Sequence, residues 1–208
     1  MSDRFEYLDA GIFIAGVDKS HVAYKECEEL LLRLMSERRA LTSLATLEEV
    51  LHRIRAIPSA EEFVITLLRS EKLVKIPLTI EILKESTKLV FKYQIDAFDA
   101  IAITTALKHG AVIFWTVDTR LMDCAETLKD SWIELSRIQF KCPVSVDKLR
   151  EESRRKHLQK AKRNVENAIL NLLYAKRLKM RKKNFLLATD EAFKLLEDII
   201  SKYSAKPT

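Results

Sequence analysis

Apolar residues fall into short continuous runs separated by longer stretches in which they recur every three or four positions, which predicts strands alternating with helices. FEYLDA, residues 5–10, reads as a short strand ending in an acid. The stretch after it, through HVAYKECEELLLRLMSERR, carries Val22, Leu30, Leu31 and Leu34 at helical spacing. ALTSLA predicts a second strand that runs into a helix through TLEEVLHRI. Helical periodicity returns over roughly Ala60–Arg69 and Ile80–Tyr93, with the strand-like KLVKIPL between them, where Pro77 blocks a helix. DAFDAIAITTALKH predicts a further helix with Gly110 as its C-terminal cap. AVIFWTV, which follows and ends at Asp118, is apolar on both faces, as a strand covered by two helical layers must be. The implied body is α/β, a three-layer α/β/α arrangement around a central parallel sheet.

Beyond Pro143 the pattern changes. From Asp147 one long helix is expected, with Leu158, Ala161, Val165, Ala168, Ile169 and Leu172 as its apolar stripe. A shorter helix is expected from about Thr189 to Tyr203, and its own apolar stripe suggests that the two form a helical hairpin. Charge marks the same boundary. The net charge is +6, yet Lys148–Lys183 alone holds 14 basic residues against three acids, leaving a mildly acidic body. The expected organisation is a body at 1–146 and a basic helical extension at 147–208.

Composition removes several functions. Gly11, Gly16 and Gly110 are the only glycines, so no dinucleotide fingerprint can be written, and Val17 and Asp18 stand where a phosphate loop needs its lysine and hydroxyl. Cys27, Cys124 and Cys142 are far apart, with no CxxC pair, which points to thiols in a reducing compartment. No N-terminal signal pattern or membrane-spanning run is present, so a cytosolic location with no membrane association is expected. The four histidines lack ligand spacing and read as surface or capping residues, and Ser43 reads as a helix or turn residue.

Acids remain. Asp9 and Asp118 fall just after strands, where parallel sheets bind ligands, while Glu48, Glu49, Asp96 and Asp99 lie at the starts of helices. Converging carboxylates repel unless a cation intervenes, and an all-oxygen set suits Mg²⁺ or Mn²⁺ rather than zinc. Taken singly, each acid also fits a cap or a favourable charge at a helix N-terminus.

Four blocks in order, YLDAGIFIAG, LTSLATLEEVLHRI, IDAFDAIAITTALKHGA and FWTVDTRL, resemble the PIN-domain nucleases over roughly residues 5–145. In that family an Asp ends the first strand, a Glu before Val-Leu or Ile-Leu opens a helix, an Asp precedes an Ala-rich helix, and an Asp follows the fourth strand. Those positions fall on Asp9, Glu49, Asp99 and Asp118. Glu48 is the competing register, but Glu49 immediately precedes Val50 and Leu51. The resemblance implies that the four acids are metal ligands and catalytic residues, with Mg²⁺ or Mn²⁺ as cofactor and RNA as substrate, cut by a metal-activated water. Asp96 is expected as an N-cap or supporting acid. Thr116, Thr119 and Arg120 are candidates for holding a water or a substrate phosphate. Ala10 departs from the family, where many relatives carry Thr or Ser. Two subclasses follow: a VapC-type toxin held by a small antitoxin protein, and an RNA-processing or ribosome-associated nuclease. The alternative is a non-catalytic PIN module that binds RNA or a protein partner. Beside such a body the basic extension reads as an RNA-binding surface, concentrated at Lys176, Arg177, Lys179, Arg181, Lys182 and Lys183. Its apolar stripe makes a homo-oligomer, a dimer, the expected state.

Overall fold

Parallel strands cannot be joined by tight turns, so each must be followed by a crossover, usually a helix. The computed structural model describes residues 4–55, 57, 60–129, 133–177 and 194, and it follows that rule throughout. The strands are β1 (Glu6–Leu8), β2 (Ala40–Ser43), β3 (Leu73–Ile76), β4 (Ile113–Trp115) and β5 (Gln139–Lys141). They form one wholly parallel sheet in the order β3-β2-β1-β4-β5. The helices are α1 (Ala10–Val17), α2 (Tyr24–Ser36), α3 (Leu44–Ile54), α4 (Ala60–Arg69), α5 (Ile80–Tyr93), α6 (Ala97–Lys108), α7 (Thr119–Lys129) and α8 (Val146–Arg177). A short 3₁₀ helix lies at Ile133–Arg137.

Successive strand side chains point to opposite faces, and this splits the core in two. On one face Leu8, Ala40 and Leu73 pack with Phe13 of α1, Leu34 of α2, Val50 of α3 and Leu67 of α4. On the other, Tyr7, Leu41, Phe114 and Phe140 pack with Ile82 of α5, Ile103 of α6 and Leu121 of α7. Phe114 stacks between Tyr7 and Phe140, with ring centroids 5.0 and 4.9 Å away. The three-layer α/β/α architecture expected from the sequence is therefore present, with five strands.

Three features differ from the pattern or go beyond it. The stretch after β1 is two helices, because the Asp18 side chain turns the chain by accepting the Ser20 amide and hydroxyl at 2.9 and 2.6 Å. Strand β5, Gln139–Lys141, has one apolar residue, Phe140, between two polar ones, which leaves no apolar run to mark it. Trp115, expected in the core, is half-buried, and its indole Nε1 donates to Glu6 Oε2 at 2.6 Å. Gly110 does end α6. Its φ of +69° is the left-handed conformation that follows a helix, and the Ala111 amide reaches back to the Ala106 carbonyl at 2.9 Å.

Residues 1–149 form one compact unit and 150–208 another. The first closes with Leu149, near the start of α8, in its core. In the second, Leu158, Ala161, Val165 and Ile169 are half-buried along α8, whereas Ala168 of the expected stripe is exposed. The second helix expected at Thr189–Tyr203, and with it the hairpin, lies outside the described residues, Lys194 apart.

Candidate active site at the carboxyl edge of the sheet

Strands β2 and β3 lie on one side of β1, and β4 and β5 on the other, so the crossovers diverge and leave a crevice beyond the carboxyl ends of β1 and β4. Asp9 is the first residue after β1, and Thr116 the first after β4. Both remain tied to the sheet, since the Asp9 amide donates to the Trp115 carbonyl at 3.1 Å and the Thr116 amide to that of Lys141 at 3.0 Å. Asp9 is buried and caps α1, where its Oδ1 accepts the Ala10 amide at 2.8 Å. The Thr116 hydroxyl donates to Asp9 Oδ2 at 2.7 Å and accepts the Asp118 amide at 3.0 Å. Asp118 Oδ1 in turn accepts the amides of Arg120 and Leu121 at 2.8 and 3.2 Å, at the start of α7.

The Thr116 bond favours the charged form of Asp9. Thr116→Val should therefore push the Asp9 carboxyl above its value of about 6, readable by carboxyl ¹³C NMR titration. If Asp9 holds a divalent ion, as the resemblance implies, the ion concentration needed for binding should also rise about 10- to 100-fold, as loss of a ligand's supporting partner commonly does. An unmoved Asp9 titration would deny the bond this role.

Gly11 makes room for the same junction. A Cβ there would stand 2.7 Å from Val117 Cγ2 and 3.7 Å from Asp9 Oδ2. Gly11→Ala is expected to cost about 1–3 kcal/mol of stability by overpacking. Adding Val117→Ala should recover most of that in denaturant unfolding, and a double variant no better than the single one would place the strain elsewhere.

Two further acids arrive from α3 and α6. Ser43 caps α3, its Oγ accepting the Thr46 amide at 2.9 Å, and α3 packs against both α1 and α6. This places Glu49 half-buried toward the crevice, while Glu48 is exposed. Asp96 caps α6 by accepting the Phe98 amide at 2.9 Å and is exposed, and Asp99, in the first turn, is half-buried. The charges act on one another. Burial, then the negative charges of Glu49 and Asp118, raise the Asp9 carboxyl, against the lowering by its hydrogen bonds. Burial followed by Asp9, Asp118, Asp96 and Glu49 raises Asp99 to about 7. Asp9, Glu49, Asp99 and Asp118, from four separate segments, thus share one electrostatic environment, and Asp96 adds a fifth charge. Three of these acids also cap helices, so the capping reading of single residues and their convergence hold together.

Behind the acids lies a polar network that the sequence reading missed. Tyr7 Oη, wholly buried, bonds Thr46 Oγ1 at 2.7 Å and Ser43 Oγ at 3.2 Å. Burial, with a smaller contribution from the Asp9 charge, pushes the Tyr7 phenol up to about 12. No local signal encodes it: Tyr7 stands two residues before Asp9, and the S-x-x-T start of α3 announces only its own cap. Cys124 of α7, read from the sequence only as a thiol, feels these acids: burial raises its thiol, and the Asp99 charge adds to this.

The donors fit a hard divalent cation, being carboxylate oxygens only, without Cys or His. As placed, they are not closed around one: among the described residues no three His, Cys, Asp or Glu side chains are set to hold a metal ion together. Each ligand candidate with a resolved bond is turned to a donor of the chain. Asp9 and Asp118 face amides and the Thr116 hydroxyl, and Glu49 Oε1 accepts Arg53 Nη1 at 2.9 Å. Of the remaining candidates, Thr119 begins α7 half-buried and Arg120 is exposed. Lys176 and Arg177 end α8, and Lys179, Arg181, Lys182 and Lys183 lie outside the described residues. The His21 Nδ1 accepts the Ala23 amide at 3.1 Å, a capping role.

A doubly wound parallel sheet with an acid-lined crevice at its switch point defines a class of α/β proteins that handle charged ligands at that edge. The chain belongs to the PIN domain family, whose model matches residues 7–127. Among solved structures it is similar to VapC20 of Mycobacterium tuberculosis, described as a sarcin–ricin loop cleaving toxin. That similarity has a TM-score of 0.50 at 13% identity and covers 56% of this chain and 92% of that one, so it speaks for the fold. No curated protein matches the sequence significantly.

Proposed function

We propose that this chain is a Mg²⁺- or Mn²⁺-dependent endoribonuclease, hydrolysing RNA phosphodiester bonds at the crevice between β1 and β4. The observation that carries the reading is the mutual charge of Asp9, Glu49, Asp99 and Asp118 at the switch point, where two of the four carboxyls are held well above their ordinary range. Family membership supports it, and so does the fold shared with a toxin described as cleaving the sarcin–ricin loop. A divalent cation bound there would supply activation of water and stabilisation of the leaving oxygen. The chain's own part is to hold and aim. Asp9, Glu49, Asp99 and Asp118 would bind the ion, Thr116 orients Asp9, and the N-termini of α1, α6 and α7 soften the clustered charge. Thr119 and Arg120 stand nearby as candidates for a substrate phosphate.

Cleavage of a labelled single-stranded RNA should appear with Mn²⁺ and vanish with chelator. Persistence in chelator would sink the reading. A second reading, a non-catalytic PIN module binding RNA or a protein, is favoured by one observation: Glu49 Oε1 is paired with Arg53 Nη1 at 2.9 Å. RNA binding without cleavage at any Mn²⁺ concentration would establish it.

The toxin subclass implies a small antitoxin protein as partner, and the RNA-processing subclass implies use of the basic extension. Both place the chain in the cytosol, as a homodimer in our reading. Among the described residues no helix is long and apolar enough to cross a membrane. If the extension contacts phosphates, replacing Lys176, Arg177, Lys179, Arg181, Lys182 and Lys183 by Gln should flatten the salt dependence of RNA binding. The expected change is up to about 4 in the slope of log affinity against log salt, at about 0.7 per contact. An unchanged slope in a folded variant would assign these charges to solvent or to a protein partner.

A further inference from the structure

Away from the acids, a cavity of about 460 Å³ opens between α5, the C-terminal half of α6 and the 3₁₀ helix. Six charged residues line it: Lys88, Lys92, Lys108 and Arg137 against Glu85 and Glu134, a net of +2 in a body whose overall charge is negative. Not all of these cations are open. Lys88 Nζ is bound to Glu85 at 2.9 Å, and the Lys108 charge is felt by Glu81 and Glu85. Lys92 and Arg137 have no ion-pair partner among the described residues, although Lys92 Nζ lies 4.9 Å from the centre of the Tyr93 ring.

A second observation lies at the wall of the same space. Thr104 lines the cavity, is only 4% exposed, and its Oγ1 is the one buried side-chain polar atom without a hydrogen-bond partner among the described residues. Its neighbour Thr105 behaves ordinarily, donating to the Ile101 carbonyl one turn back at 2.8 Å. A buried hydroxyl left unpaired costs about 1–3 kcal/mol, so such an atom beside a cavity calls for a partner. The wall also offers the Tyr93 ring and the apolar Leu89 and Leu107, and the volume lies in the range of small-molecule sites.

We propose that this cavity binds a nucleotide, with its phosphate on Lys92 and Arg137, an oxygen on the Thr104 hydroxyl and its base against the apolar wall. Two sources share that chemistry: a free mononucleotide, or a nucleotide unit of an RNA chain. The second source rests on the ribonuclease reading, for which the cavity would be a substrate contact separate from the acids; the first stands without it.

The test titrates the full chain in chelator with 5′-AMP, by calorimetry, and with a labelled ten-nucleotide oligouridylate, by anisotropy. Lys92→Gln/Arg137→Gln, two exposed positions, should weaken binding about tenfold or more. Thr104→Val should weaken it several-fold while raising the thermal midpoint, because it removes the unpaired hydroxyl. Weakening of both probes supports the site as a general nucleotide pocket, of 5′-AMP alone a free-nucleotide pocket, and of the oligonucleotide alone an RNA contact. Absence of binding, or affinity for both probes unchanged in the double variant, overturns the proposal. Loss of 5′-AMP binding in Asp99→Asn would overturn it too, by placing the ligand among the acids. Mn²⁺-dependent cleavage is scored separately, so either reading can fail while the other stands.

Discussion

Asp99→Asn is expected to cut RNA cleavage at least about 100-fold and, in the metal-free protein, to raise the thermal midpoint. Both follow from the same crowding. Asp99 is held up at about 7 by burial first and then by Asp9, Asp118, Asp96 and Glu49. Asparagine keeps the shape and removes one charge from that cluster, relieving repulsion, while deleting one of the four ligands proposed above. For a chain of this size a gain of about 1 kcal/mol would show as roughly 2–4 °C. Asp9→Asn should act similarly on cleavage with less gain in stability, because Asp9 also accepts hydrogen bonds from Thr116 and Ala10. Full cleavage by a folded Asp99→Asn protein would move the chemistry elsewhere.

Stability without metal should fall as pH rises from about 4 to about 7. An unfolded Asp titrates near 3.9, whereas Asp9 and Asp99 in the fold are raised to about 6 and about 7. Between those limits the folded chain binds protons that the unfolded chain has released, so each rise in pH favours unfolding. For Asp9 alone the loss is at most about 3 kcal/mol, at about 1.4 kcal/mol per pH unit of separation. Saturating Mn²⁺ should reverse the trend above pH 6, adding about 2.7 kcal/mol at a hundredfold excess over its dissociation constant. Urea unfolding at pH 5 and pH 8, with and without Mn²⁺, reads both effects. A metal-free protein more stable at pH 8 than at pH 5 would mean that other groups dominate or that the acids are compensated.

Much of this was legible in the chain because it depends on period and position. AVIFWTV announces a doubly covered strand, the spacing over Ala60–Arg69 and Ile80–Tyr93 matches α4 and α5 residue for residue, and acids placed just after strands fall at the sheet's carboxyl edge. What stayed hidden depends on contacts distant in sequence. The Thr116 bond to Asp9 spans 107 positions and that of Tyr7 to Thr46 spans 39, distances no local pattern encodes. Choosing Glu49 over Glu48 rested on the residues that follow, and α3 now turns Glu49 toward the crevice and leaves Glu48 in solvent because Val50 and Leu47 face the core. The unpaired Thr104 hydroxyl was illegible, since its neighbour Thr105 is of the same type in the same helix yet bonds normally.

If the four carboxylates at the switch point hold a divalent cation, as proposed, Mn²⁺ must bind the chain in solution. Titration of the full chain with Mn²⁺, following the free ion by electron paramagnetic resonance, reads this. Saturable binding that is lost or strongly weakened in Asp9→Asn and in Asp99→Asn, and unaffected by Glu48→Gln, is the predicted result. Equal Mn²⁺ binding by all four proteins, or none by the unaltered chain, would contradict it.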